Sequence, residues 1–210
     1  MRRRIGRLLI IFGVTALAIS FSRAAANAID GRRARNAAQT ALNAVQAALQ
    51  SAAPAAPTGA GAAEDAPAAD GDAPQADPDV GLEIDGAQYL GYLSIPALEL
   101  ELPIYAAWDD LRVQDAPCRY SGSIAGGALV IGAHNYDRHF GRISTLAEGD
   151  AVIITDAHGA QHAYAVAAME ILQPEEIDRM QGGDWALTLF TCTYGGQSRA
   201  TIRCTREAAA

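Results

Sequence analysis

Two short runs near the C-terminus, residues 186–191 and 199–204, constrain the fold most strongly. The first run is apolar and β-branched, long enough for one strand but too short for a typical helix. The second alternates in character, as a half-buried strand does. Gly195 and Gly196 lie between the runs and are typical of a turn. The pattern therefore predicts an antiparallel hairpin in which Arg199 returns beside Cys192, at the end of the first strand.

Cys192 has the neighbours that a cysteine nucleophile needs. A nearby permanent cation favours the thiolate and can later hold a developing oxyanion, and Arg199 is predicted to supply it. Strand context alone still favours an inert cysteine, because most core cysteines behave as small hydrophobes. A second apolar strand, residues 128–133, is followed directly by His134. The three side chains together form a candidate catalytic triad.

These segments resemble the sortases, the membrane-anchored cysteine transpeptidases of Gram-positive bacteria. The resemblance covers about residues 89–206 and rests on the family's TLxTC signature, its histidine segment, the arginine of the next strand and its opening strands. The corresponding segments are residues 188–192 (TLFTC), residues 133–135 (AHN), Arg199, residues 91–96 (GYLSIP) and residues 102–105 (LPIY). The residues after the histidine and around the cysteine favour the class B-like branch.

The resemblance implies a mostly β fold, an eight-stranded sortase-type barrel with a few short helices. It also implies that Cys192 forms a thioester with the substrate, that His134 moves protons to and from amines, and that Arg199 stabilises the oxyanion. The substrate would be a sorting signal near the C-terminus of a secreted protein. The acceptor would be an amine of a peptidoglycan precursor or a pilin lysine, and no cofactor is expected.

Two alternatives to a transpeptidase remain open. A cysteine peptidase would hydrolyse the same acyl-enzyme, and an inactive sortase-like scaffold would bind a peptide without chemistry. The intact cysteine, histidine and arginine positions argue against the scaffold.

Several polar side chains are secondary candidates. Arg203 lies four residues beyond Arg199 on the same strand face and is its rival for the oxyanion role. Asn135 either orients His134, contacts substrate or belongs to a turn. Thr191 and Tyr194 are candidate substrate contacts, with structural packing as the more common role for such positions.

The remaining histidines and cysteines have plainer interpretations. His139 is expected to be exposed. His158 and His162 flank a turn near Asp156, but they lack a further ligand at metal-site spacing, so no metal is expected. Two other cysteines would be either buried thiols or a disulfide; these are Cys118 and Cys204.

The N-terminus carries opposite charge to the rest of the chain. Residues 1–35 have a net charge of +7 and the remainder −15, which argues against a nucleic-acid partner. Four arginines precede the uncharged residues 8–22. We expect residues 1–26 to be an uncleaved signal anchor rather than a cleaved signal peptide. That arrangement predicts a single-pass membrane protein with an extracellular catalytic domain.

Three further segments complete the predicted organisation. Residues 27–51 are expected to form a helical, solvated stalk that is broken or delayed at Gly31. Residues 52–79 are rich in Ala, Pro, Gly and Asp and predict a disordered acidic tether. Residues 80–207 should form the catalytic domain. Within it, short helices are expected at residues 108–116, 140–146 and 174–180, a loop at 117–127, and a strand interrupted at Pro103.

Overall fold

The computed structural model describes residues 2–52, 79 and 81–207, with side chains described from residue 12 onwards except those of 23–27. The predicted tether therefore lies almost wholly outside the described residues. The helices are α1 (Arg2–Ala52) and α2 (Ile177–Gln181), with 3₁₀ turns at Pro96–Leu98, Arg112–Gln114 and Phe140–Thr145. The strands are β1 (Leu82–Ile84), β2 (Ala87–Ile95), β3 (Leu100–Tyr105), β4 (Cys118–Ser123), β5 (Gly127–Gly132), β6 (Ala151–Asp156), β7 (Gln161–Leu172), β8 (Leu187–Cys192) and β9 (Arg199–Arg206).

Eight strands close into a barrel, as predicted. In the described part of the chain the sheet order is β1-β2-β3-β4-β5-β8-β9-β7-β6, and β2 also pairs with β6 to close the ring. β1 lies outside the ring and extends β2 as a hairpin. The pairs β3–β4 and β5–β8 are parallel, and the other pairs are antiparallel. The barrel is therefore mixed, and its parallel pair β5–β8 joins the histidine strand to the cysteine strand.

The barrel interior is filled by branched apolar side chains. Leu93, Ile131, Ile154, Leu189 and Ile202, from five different strands, are fully buried there. Burial of each such side chain stabilises the fold by about 1.5–3 kcal/mol. This packing gives the active-site strands a rigid base.

Helix α1 differs from the predicted stalk in two ways. It runs through Gly31 without a break. Its second half is also packed rather than solvated, because Ala34, Ala38, Leu42 and Val45 recur at helical spacing and are buried against the first strands of the barrel. Ala34 and Ala38 in this stripe are small and let the helix approach closely. Among the described residues, no helix contains an apolar stretch long enough to cross a membrane.

Two local predictions in the barrel are wrong. The expected loop at residues 117–127 contains strand β4, whose pairing with β5 shifts register twice and includes Gly122 at a φ of +70°. Such irregular pairing tolerates the Gly and Ser content that suggested a loop. Pro103 does not interrupt β3, because that strand pairs with β4 only at Tyr105 and leaves an unpaired side for a proline.

The short helices were predicted at the right places but with longer extents. Residues 108–116 contain only the 3₁₀ turn Arg112–Gln114, and residues 140–146 contain Phe140–Thr145. Helix α2 begins three residues after Pro174. Asp79 belongs to the folded barrel, since its carboxylate accepts hydrogen bonds from the backbone N–H groups of Ile124 and Ala125 at 2.8 and 3.1 Å.

Candidate active site

Three neighbouring strands bring the predicted triad together. β8 lies between β5 and β9, with Gly132 opposite Phe190 on one side and Cys192 opposite Arg199 on the other. The parallel pairing continues past β5, because the N–H of Ala133 donates to the carbonyl of Phe190 at 3.2 Å. The next residue, His134, therefore enters the row at the level of Cys192. Since adjacent strands lie about 4.8 Å apart, the cysteine has the histidine on one flank and the arginine on the other.

One cavity of about 280 Å³ is lined by all three side chains. Each of them is partly exposed, so a substrate could reach them. Most of the remaining lining is apolar and includes Ile177 and Met180 from α2. A larger cleft of about 450 Å³ between α1 and β3 contains neither cysteine nor histidine. The smaller cavity is thus the candidate active site.

An aromatic cluster forms one wall of this cavity and was not anticipated from the sequence. Trp108 stacks on Phe190 with ring centroids 6.0 Å apart, and Tyr120 meets both rings edge-on. Gly132 makes room for it, because a Cβ there would lie 2.4 Å from Cζ of Phe190 and 2.8 Å from Cζ3 of Trp108. Gly132, at the end of the strand before the histidine, was the sequence feature that could have indicated this close packing of aromatic rings.

Two hydrogen bonds tie the histidine segment to the cysteine segment. The buried hydroxyl of Thr191 donates to the carbonyl of Ala133 at 2.8 Å. The amide of Asn135 donates to the carbonyl of Thr193 at 3.3 Å. These bonds account for both side chains without a substrate, and they hold the two segments in register.

Arg199 is held at the rim by the turn of its own hairpin. Its guanidinium donates from Nη1 to the carbonyls of Gly196 and Ser198, both at 3.2 Å. Gly195 and Gly196 have φ values of +88° and +75°, so this turn requires glycine. The guanidinium lines the cavity and makes no ion pair with a described residue, so no described carboxylate neutralises its charge there.

Burial lowers the pKa of His134 below its usual value. The imidazole is therefore largely neutral near pH 7. A neutral ring can accept a proton from a thiol or an amine and return it later, as a general base and acid must.

Arg203, the rival of Arg199, lies outside the cavity and is almost fully buried at 2% exposure. Its Nη1 donates to the carbonyl of Met180 at 2.7 Å and to Oγ1 of Thr188 at 3.0 Å. Nη2 donates to the carbonyl of Arg179, and Nε to Glu170 at 3.3 Å. The side chain therefore fixes the end of α2, which supplies part of the cavity wall. An arginine directly between Ile202 and Cys204 was the sequence feature that could have indicated such a role.

Two expectations about polar side chains are wrong. Tyr194 is fully exposed and outside the cavity lining, so it does not pack as expected, and its contact with substrate stays a prediction. His139 is buried at 1% exposure because α1 covers it. The sequence could not show this, since the stalk was expected to be solvated.

The remaining histidines and cysteines have structural surroundings. His162 Nε2 lies 2.8 Å from Oδ2 of Asp156, whose other oxygen accepts the N–H groups of His158 and Ala160 in the β6–β7 turn. In the part of the chain that the structure describes, no cluster of three or more such side chains could hold a metal ion.

The three cysteines of the chain are all free. The alternative of a disulfide between Cys118 and Cys204 therefore fails. Burial raises the pKa of each of these two thiols to about 12. Only Cys192 is partly exposed, so it is the one thiol of the chain available to a substrate.

Comparison with known proteins identifies the family. The model of the sortase domain matches residues 93–207, more than half of the chain, so the protein belongs to the sortase family. Sortase A of Bacillus anthracis is 25% identical over 115 residues, which are 52% of this chain and 54% of that protein. The chain thus matches about half the length of this curated relative.

Solved structures agree on the barrel. Sortase C of Clostridium perfringens, solved with the C-terminal cell wall sorting motif, has 27% identity and a TM-score of 0.51, covering 58% of this chain and 71% of that one. Sortase C1 of Streptococcus agalactiae has 24% identity and a TM-score of 0.54, covering 61% and 72%. Both of these neighbours carry class C names and the B. anthracis relative a class A name, and the class B-like assignment stays a prediction.

Proposed function

We propose that this protein is a cysteine transpeptidase that cleaves a sorting signal and transfers the acyl group to an amine. The observation that carries the proposal is the row formed by His134, Cys192 and Arg199 on three adjacent strands, all lining one cavity. Membership of the sortase family supports the same chemistry.

In the first half-reaction the thiol of Cys192 gives its proton to the neutral imidazole of His134, and the sulfur attacks the scissile carbonyl carbon to form a C–S bond. Arg199 donates hydrogen bonds to the oxyanion that develops. The C–N bond then breaks, and the leaving amine takes a proton from His134. The products are a thioester on Cys192 and a free amine on the C-terminal fragment.

In the second half-reaction an acceptor amine attacks the thioester. His134 takes the proton that the amine loses, and the C–S bond breaks to release the thiolate of Cys192. The net result is one amide exchanged for another, without an oxidant or a cofactor. Hydrolysis would follow the same path with water in place of the amine, so exclusion of water separates the two outcomes.

The substrate is a peptide with an apolar residue near the scissile bond. The cavity lining includes Trp108, Tyr120, Phe190, Ile177 and Met180, and such a lining suits an apolar side chain. The C. perfringens relative was solved with a C-terminal cell wall sorting motif, which favours a sorting signal here. We propose a peptidoglycan-precursor amine or a pilin lysine as the acceptor.

We also propose that the barrel works outside the cytoplasm, because sorting signals belong to secreted proteins. Arg2, Arg3, Arg4 and Arg7 before the uncharged residues 8–22 support an N-terminal anchor with its start inside. Protease treatment of intact protoplasts tests this location. Loss of the C-terminal epitope is expected, and its full protection would contradict the proposal.

A peptide-library screen with the full-length chain tests the activity. We expect a thioester of Cys192, visible by mass spectrometry, and an amide product when an amine acceptor is added. Acid product alone, at saturating amine, would favour the hydrolytic peptidase. The full chain is needed because α1 covers part of the barrel.

Thiol labelling at neutral pH separates an enzyme from an inactive scaffold. An active site predicts that iodoacetamide modifies Cys192 faster than it modifies free cysteine and that this blocks transfer, whereas a scaffold predicts a rate no higher than that of free cysteine. Cys118 and Cys204 serve as internal controls, since their buried thiols should react only after unfolding.

A further inference from the structure

The loop after β5 carries His134 on an aromatic stack that the proposed chemistry does not use. The ring of His134 stacks on Tyr136, with centroids 5.1 Å apart and planes 24° from parallel. Tyr136 in turn meets the buried ring of His139 edge-on, at 5.6 Å. The catalytic imidazole therefore rests on one face of a tyrosine, and the position of that tyrosine sets the position of the imidazole.

Helix α1 lies against the same loop. A Cβ built on Gly31 would lie 3.7 Å from Cδ1 and 3.9 Å from Cγ of Tyr136, so the helix leaves room for about one methyl group between Gly31 and the tyrosine ring. The Asp30 carboxylate is close enough to contribute, after burial, to a raised pKa of Tyr136. One turn further along, Ala34 is buried and its carbonyl faces the ring of His139. The helix thus lies over both Tyr136 and His139, the two rings of the loop that follow His134.

The backbone of the loop gives Tyr136 little freedom to adapt. Its carbonyl accepts the N–H groups of His139 and Gly141, each at 2.9 Å, and the N–H of Phe140 donates to the carbonyl of His134 at 3.2 Å. A Cβ on Gly141 would lie 2.6 Å from the carbonyl oxygen of Asn135, so the loop is tightly closed. Because the backbone of the loop has little room to adapt, a displacement of the tyrosine ring also moves the imidazole that stacks on it.

We propose that Tyr136 is a positioning residue for His134 and that α1, which leaves room for about one methyl group at Gly31, limits the movement of Tyr136. The inference rests on the proposed role of His134 in transpeptidation. It makes the helix, which lies outside the matched family region of residues 93–207, a working part of the active site.

Substitutions at Gly31 test the helix contact in the full-length chain. Gly31→Phe should push Tyr136 aside and lower kcat by about tenfold with little change in KM, because a shifted base mainly affects the chemical step. Gly31→Ala should keep wild-type activity, since its Cβ fits at 3.7 Å. Gly13→Phe is the matched control: the same substitution on the same helix, at a site with nothing within 4 Å.

Substitutions at Tyr136 test the stack without disturbing the helix. Tyr136→Leu should lower kcat by about tenfold, and Tyr136→Phe, which keeps the ring, should restore it. If Gly31→Phe does not fold, this pair decides the question. Equal kcat in Tyr136→Leu and wild type would overturn the proposal.

Proton NMR gives a readout that does not depend on activity. A ring stacked at 5.1 Å shifts the imidazole C–H resonances of His134 upfield, and their assignment follows from their loss in His134→Gln. Those resonances should move in Tyr136→Leu and Gly31→Phe but not in Gly13→Phe. Unmoved resonances in folded variants would refute the positioning role. Moved resonances in a protein without transpeptidase activity would instead refute the proposed function.

Discussion

The two ends of the β8–β9 hairpin carry the same pair of residue types in opposite surroundings. At the rim, Cys192 pairs across the strands with Arg199, and both are partly exposed. At the other end, Cys204 and Arg203 are both buried. The buried thiol has its pKa raised to about 12, and the buried guanidinium donates four hydrogen bonds. Residue type alone therefore does not define the site, and access to the cavity does.

The two cysteines should differ most. Cys192→Ala should abolish transfer, by about 10⁵-fold or more, with the fold retained, because it removes the nucleophile. Cys204→Ala should keep activity and lower the free energy of unfolding by about 1 kcal/mol. Product formation and thermal unfolding measure the two effects. Residual transfer above a few per cent in Cys192→Ala would contradict the nucleophile assignment.

His134→Ala should be the next most severe change. It removes the proton acceptor and donor, so we expect a loss of about 10²–10⁴-fold in kcat/KM. His162→Ala, at a histidine that pairs with Asp156 away from the cavity, is the matched control and should leave kcat/KM within about twofold. Similar losses in both variants would remove the distinction between the two histidines.

The two arginines should separate activity from stability. Arg199→Leu should lower kcat by about 10²–10³-fold with little change in Tm, because the guanidinium acts on the oxyanion. Arg203→Leu leaves the carbonyls of Arg179 and Met180 unpaired, and we expect a loss of about 3 kcal/mol in the free energy of unfolding and a raised KM.

Measurements of kcat, KM and thermal unfolding for both arginine variants show which arginine serves activity and which serves stability. An Arg203→Leu protein that keeps its stability but loses kcat would reverse the two roles. Arg203→Lys keeps a charge but offers no planar fork of donors, so it should recover only part of the stability.

The smallest expected effect is a shift in the pH profile. Because burial lowers the pKa of His134, the ring stays neutral to a lower pH than a free histidine does. The apparent pKa of the acid limb of the kcat/KM profile should therefore lie below about 6.5, the ordinary histidine value. Cys204→Ala should leave this limb unchanged. An acid limb above that value would show that another group controls the reaction.

The sequence predicted the row of three side chains because it depends on local patterns, whereas the barrel was implied by the resemblance to the sortases. Short apolar runs marked β5 and β8, and a glycine turn placed Arg199 opposite Cys192. It failed where partners distant in the chain decide. The burial of His139 needs α1 on the barrel, and the role of Arg203 needs carbonyls of α2. Neither partner has a signature near the residue itself.

Helix α1 shows the same limit from the other side. Residues 27–51 were expected to form a helical but solvated stalk, broken or delayed at Gly31. The helix carries the small residues Gly31, Ala34 and Ala38 on the side that faces the barrel. In the fold these small residues allow the helix to lie close to the barrel. Which surface a weakly apolar stripe covers is a property of the assembled domain.

The parallel pairing of β5 with β8 also sets when the thiol can become reactive. The hydrogen bond from Thr191 to Ala133 joins positions 58 residues apart, and β6, β7 and α2 lie between them in the chain. Long-range parallel pairing is slow, so it comes late in folding. A newly made or half-folded chain can therefore hold Cys192 beside Arg199 of its own hairpin, whereas His134 comes beside the thiol only when β5 has paired with β8.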